Sequence, residues 1–317
     1  MPLPPFSSVA PRPEHLFMPG ISYQIEAPSS TSAAPTPSPL PLRLAPETSS
    51  SSSPDNGGES GNDSSSSSSK PFPAPKLRLE IRDLNHAGAG IFLHAINASS
   101  TFAACLQNVL QKLYVSPEAS GAPHYYQPPP TRSVTLVLRD MGGGVAYTTG
   151  SDLDADHKEI HLNLGYVAGL PPARQAAEVT GVLTHELVHC YQHTGYGSCP
   201  GGLVEGIADW VRLRCGLAPP HWDSSKPGTK WDGGYQHTAY FLAYLERRFG
   251  GETVRKLNET LRTTRYEEKA FWTRQLGRPV EQLFEDYIGD LKGEGTVVEK
   301  TEKGSKDENK VDEATQT

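Results

Sequence analysis

Three histidines recur at intervals of four in the stretch VLTHELVHCYQHTGYG: His185, His189 and His193, with Glu186 directly after the first. On a helix, His185 and His189 fall one turn apart on one face, their Cβ atoms about 6 Å apart. Two imidazoles so placed can converge on one zinc ion, each nitrogen at about 2.0–2.1 Å. Glu186 is turned by about 100° around the helix axis. That aims its carboxylate at the open side of such a metal, where it can take a proton from an activated water. The competing reading is a helix that carries satisfied or solvent-facing histidines. His193 lies about 12 Å along the axis from His185 at the usual helical rise. On an unbroken helix it points past a metal held by the other two. A broken helix that returns a histidine six residues after the second ligand is a known alternative, but Gly195 occupies that position. His193 is therefore expected beside the site or at the surface.

A catalytic zinc usually takes three protein ligands, and the segment GGLVEGIADWVRLRC supplies a candidate. Glu205 opens a second helix, and Asp209 lies one turn on, along the same face. Gly195, Gly197, Gly201 and Gly202 separate the two segments and give the chain freedom to reverse. Glu205 would then complete the metal site, and Asp209 would accept the N–H of a ligating imidazole and fix its orientation. An amphipathic helix with exposed acids is the alternative. It fits poorly, because both acids sit among Leu203, Val204, Ile207, Ala208 and Trp210, where an unpaired carboxylate is costly.

The elements that must position these groups follow from hydrophobic periodicity. KLRLEIRD alternates as a half-buried strand. Ser99 or Ser100 caps a helix whose apolar face is Phe102, Leu106, Val109, Leu110 and Leu113. SVTLVLRD is apolar on both faces and reads as a central strand. GGGVAYTTG is a short strand, and KEIHLNLGYV is another with Ile160, Leu162 and Leu164 inward. The histidine helix is expected from Ala173 to Thr194 and the second from Leu203 to Cys215. Helices over Tyr235–Phe249, Glu252–Thr263 and Val280–Leu291 complete the chain. Strands mostly first and helices last is an α+β order, with a sheet beside the histidine helix. His161 is expected as a cleft-wall or surface residue.

Of the 317 residues, 1–76 are rich in Pro and Ser and 292–317 in charge; both have too little apolar surface to fold and are expected disordered. Residues 77–291 have the size of one domain. The net charge of −7 provides no basic footprint, which argues against nucleic acid or an anionic membrane. No apolar run approaches the roughly 18 residues of a membrane span. The N-terminus lacks the apolar core of a secretory signal, so a cytoplasmic or nuclear place is expected, with secretion if that N-terminus is atypical. Cys105, Cys190, Cys199 and Cys215 lack CxxC spacing and are expected as free thiols, with a Cys190–Cys199 or Cys199–Cys215 bridge as the alternative.

HELVHCYQHTGYG, GGLVEGIADWVRL and WDGGYQHTAYFLAYLE together resemble the plant basic secretory proteins and their bacterial and fungal relatives, regarded as gluzincin-like zinc peptidases. The resemblance implies a zincin-like fold: a twisted mixed sheet packed on the HExxH helix, followed by a helical C-terminal part. It implies His185, His189 and Glu205 as metal ligands and Glu186 as general base. The residue at the place of His193 is commonly aromatic in the plant members. Tyr235, in the family's GY before a helix, could donate to an oxyanion; packing is the alternative. This chain is acidic where the family's name promises a basic protein. The expectation is a monomeric, Zn²⁺-dependent peptidase acting on a peptide or protein held along an edge strand, KEIHLNL or GVAYTTG. The alternative is a zinc-stabilised interaction module.

Overall fold

The computed structural model describes residues 72–115 and 127–304, with side chains described as far as residue 293. The segment 1–71 and the end of the charged tail, both expected disordered, lie outside the described residues. Four strands form one mixed sheet in the order β1-β2-β4-β3: β1 (Lys76–Ile81), β2 (Ser133–Arg139), β3 (Ala146–Gly150) and β4 (His157–Asn163). β1, β2 and β4 run parallel, and β3 pairs antiparallel to β4 at one edge. The architecture is α+β. β2 is interior and buried along nearly its whole length, as its two-faced apolar sequence requires. β1 is an edge strand, and Leu79, one of the apolar residues of its alternation, is 40 % exposed.

Between β1 and β2 lie α1 (Ala87–Ala95) and α2 (Ala98–Leu113). α1 was not expected, because two glycines weaken its helical signal. Gly88 is needed there, since a Cβ would sit 2.2 Å from the carbonyl oxygen of Leu164. α2 begins earlier than Ser99 or Ser100 suggests: the side chain of Asn97 accepts the N–H of Ser100 and caps it. The fourth strand, β4, also ends sooner than its sequence suggests. Asn163 accepts the N–H of Gly165 and starts the short helix α3 (Leu164–Ala168), so Leu164 packs from a helix.

The long helix α4 (Gln175–Tyr191) stops before Thr194, and Gln192 is already extended. After it come α5 (Gly201–Arg214), α6 (Tyr235–Phe249), α7 (Thr253–Thr263), α8 (Glu268–Leu276) and α9 (Val280–Gly304). α8 was not foreseen, and α9 runs on past Leu291. Among the described residues no single helix is long and apolar enough to cross a membrane. All four cysteines are free thiols.

The core lies between the sheet and α4. Leu136 of β2 pairs with Ile160 of β4, and Leu138 with Leu162, so these residues share one face with Val134. That face meets Val179, Val182, Leu183 and Leu187 of α4 in one cluster. The register across β3 sets Thr148 opposite Ile160 and so on the same face, toward α4.

The α4–α5 reversal uses its glycines in two ways. Gly195 and Gly197 take left-handed backbone (φ +60 and +75) and turn the chain. Gly202 instead permits contact, because a Cβ would stand 1.9 Å from the carbonyl oxygen of Asp232. Gly201 faces open space. Gly202→Ala is expected to lower unfolding free energy by about 1–3 kcal/mol through overpacking, whereas Gly201→Ala should stay within about 1 kcal/mol of the parent. Chemical denaturation of the two variants checks this contrast.

Candidate metal centre

The α4–α5 contact buries an unusual density of charge. His185 and Glu186 on α4 are fully buried, and on α5 Glu205 and Asp209 are 5 % and 1 % exposed. His185 is the hub. Its Nδ1 lies 2.6 Å from Asp209 Oδ1, and its Nε2 lies 3.1 Å from both Glu205 Oε2 and His189 Nε2. His189 Nε2 also lies 3.6 Å from Glu205 Oε1. One ligand atom from each of His185, His189 and Glu205 falls within 4.8 Å of the others, a group that could hold a metal ion.

The electrostatics ask for a cation. Burial disfavours charge on His185, but Asp209 and then Glu205 outweigh it and push its pKa up to about 10. Burial drives His189 down to about 4, against the pull of Glu205. Burial also opposes ionisation of Glu205, yet the bond from His185 and the neighbouring imidazoles hold it below the usual carboxylate range. Glu205 Oε1 is buried with no hydrogen-bond partner. Two nitrogens and an orphaned carboxylate oxygen, facing one another in a buried setting rich in acid, match the donor set that zinc prefers.

Both imidazoles are oriented from behind. Asp209 accepts from His185 Nδ1, which leaves Nε2 directed at the group. Gln192 does the same for His189: its amide lies 2.6 Å from Nδ1, and its Oε1 is otherwise buried and unpartnered. A half-turn of that amide sets Oε1 to accept from Nδ1–H and leaves Nε2 of His189 as a lone pair. Sequence reasoning missed Gln192, although its place three residues after His189 is a helical neighbour spacing.

Glu186 points to the β3 side. Thr148 Oγ1 lies 2.7 Å from its Oε2 and 3.0 Å from its backbone oxygen, and Oε1 has no partner. Burial pushes this carboxyl up to about 7. Thr148 was also missed, because nothing in a strand threonine reveals its helical partner before the register is known.

Tyr235 stands on the other flank, its ring 6.3 Å from that of His185 and nearly parallel to it. Its φ of +47 follows Gly234 at +78, an unfavourable backbone for a tyrosine. Burial, then the carboxylates of Glu205, Asp209 and Glu186, holds the phenol well above its ordinary pKa, so it keeps its proton.

The remaining expected residues fall elsewhere. His193 lies beyond the end of α4, so helix rise is not what removes it from the group. Its backbone N–H donates to Asn258, its Nε2 lies 3.2 Å from the Gln127 oxygen, and its ring packs edge-on against Tyr114. His161 is neither a cleft wall nor a surface residue: it is 5 % exposed and stacked on Tyr147 on the sheet face away from α4. Of the two candidate edge strands, KEIHLNL lies inside the sheet as β4, and only β3 is an edge.

A family model described as a peptidase of plants and bacteria matches residues 74–287. No curated protein and no solved structure matches the chain.

A divalent ion at this group should stabilise the fold by mass action. Zinc at a hundred times its Kd should add about 2.7 kcal/mol to chelator-treated protein, on the order of 5–10 °C in Tm for a domain of this size. Differential scanning calorimetry checks the shift, which Glu205→Gln should shrink.

Proposed function

The chain belongs to the family of peptidases of plants and bacteria, and from that premise we propose that it is a zinc-dependent peptidase with a zincin-like fold. The observation that carries this reading is the buried group of His185, His189 and Glu205 beside a carboxylate, Glu186, with one oxygen uncommitted. His185, His189 and Glu205 would hold the zinc, and Asp209 and Gln192 would fix the two imidazoles. The chemistry a zinc held there would supply is Lewis acidity, toward water and the scissile carbonyl.

The chain's own residues do the rest. Thr148 fixes one oxygen of Glu186, and the other is left to accept a proton from the attacking water. Burial favours the protonated form of this carboxyl, so it can return that proton to the departing amine. Tyr235 stays a phenol and donates to the oxyanion as charge develops there. A peptide laid along the free edge of β3 would gain main-chain hydrogen bonds in extended form. Because β3 also carries Thr148, that edge would pass the catalytic carboxylate.

Metal analysis of the full chain, run beside a peptide-library digest, tests the reading. About one zinc per chain is expected. Glu186→Gln should keep the metal and lose roughly 10²–10⁴-fold in hydrolysis, while His185→Ala should lose both. Stoichiometric zinc with no Glu186-dependent cleavage would overturn the enzyme and leave a zinc-stabilised interaction module. For Tyr235→Phe, kcat should fall by about 10²–10³ with KM little changed; a fall in thermal stability with unaltered kcat would mark a packing tyrosine instead.

A further inference from the structure

A cavity of about 230 Å³ is lined by Asp209 and Tyr235, the two residues that flank His185 of the metal-ligand group. We infer, building on the peptidase reading, that this cavity receives a large uncharged side chain of the substrate, aromatic by preference, from a residue flanking the scissile bond.

Its position sets which part of a substrate can reach it. Asp209 holds His185 at 2.6 Å, and the Tyr235 ring is 6.3 Å from the His185 ring, so the cavity starts one side chain away from the ligand group. Val145, a buried residue of the cavity lining, immediately precedes β3. A chain running along that edge passes the rim, and one of its alternating side chains points in.

Its chemistry sets what can enter. The charged side chains in the wall are committed to partners. Arg212 bonds Glu178 at 3.0 Å, Glu178 also bonds Arg174 at 2.8 Å, and Asp209 bonds His185. A substrate ammonium or carboxylate entering here must compete with these pairs and be stripped of water, which disfavours it. Trp222 and Val145 offer apolar surface instead. Trp222 is fixed by Tyr240 edge-on at 6.3 Å and by the Arg212 guanidinium 5.6 Å from its ring centre, so it presents a rigid aromatic wall. An apolar cavity of about 150 Å³ is large enough to take up benzene. The volume of 230 Å³ therefore accommodates a benzyl or phenol group.

Nothing in the sequence pattern gathers these residues. Val145 lies before a strand, Asp209 and Arg212 on α5, and Trp222 in the loop that leads to α6.

The full, zinc-loaded chain is tested against peptide libraries with cleavage sites read by mass spectrometry. Cleavage beside Phe, Tyr, Trp or another large apolar residue is expected at least tenfold faster than beside Ala, Lys or Asp. Val145→Phe fills the cavity and Trp222→Ala removes its wall. Each should lower the Phe-over-Ala ratio of kcat/KM about tenfold or more, the scale on which pocket contacts discriminate. Because the two changes are opposite in volume, misfolding of one leaves the other informative. Cleavage with no such enrichment, or variants that change both peptides in equal proportion, overturns the pocket. A chain that cleaves nothing overturns the peptidase reading instead. The pocket is then judged by saturation-transfer NMR with N-acetyl-phenylalaninamide against N-acetyl-lysinamide. Selective binding that Trp222→Ala abolishes keeps it, and absence of selectivity removes it.

Discussion

Three carboxylates, Glu186, Glu205 and Asp209, are withdrawn from water at the contact between α4 and α5, and the local structure is arranged to make that tolerable. Isolated buried carboxylates are among the most costly features a fold can carry. Here His185 bridges two of them through its two ring nitrogens, and Thr148 reaches the third. The compensation is incomplete: oxygens of Glu186 and Glu205 remain buried without partners. A proton on His185 relieves part of this load, and the proposed zinc would supply a larger charge at the same place.

The tight α4–α5–α6 packing serves this contact. Gly181 makes room on α4 for the Arg212 guanidinium, which a Cβ would approach to 2.7 Å. Arg212 in turn neutralises Glu178, a second ion pair buried between the same helices. Gly206 lets α6 approach, since a Cβ there would meet Thr238 at 2.2 Å. That approach puts Tyr235 beside His185. α4 and α5 are thus held by small residues at the crossings and by buried ion pairs, not by apolar packing alone. Rigid support of this kind would keep the proposed ligands in place before a metal bound.

Much of the candidate site was legible because it depends on helical spacing. His185, Glu186 and His189 needed only the period of an α-helix, and so did the pairing of Glu205 with Asp209. The apolar neighbours of those two acids marked them as buried. The strand signals were sound where alternation or a two-faced apolar run was strong. Weak signals failed for physical reasons. α1 contains two glycines, and α2 is capped by an asparagine ahead of two serines with equal local claims. β4 turns into α3 because Asn163 bonds the backbone two residues on, a local hydrogen bond that apolar alternation does not report.

The two histidines, the carboxylate between them, and the acidic pair that meets them after a glycine-rich reversal can be read from the residues alone. These follow from the fixed rise and twist of a helix and from the cost of burying charge. It takes the folded chain to bring Thr148 to Glu186, to set Gln192 behind His189, and to gather Val145, Arg212 and Trp222 around one cavity. Those contacts depend on sheet register, on where α4 ends, and on how closely helices approach, none of which any one segment encodes. The fold also settled His193, which leaves the group because α4 ends at Tyr191 with Gln192 turned inward, where spacing along an unbroken helix had supplied a different reason.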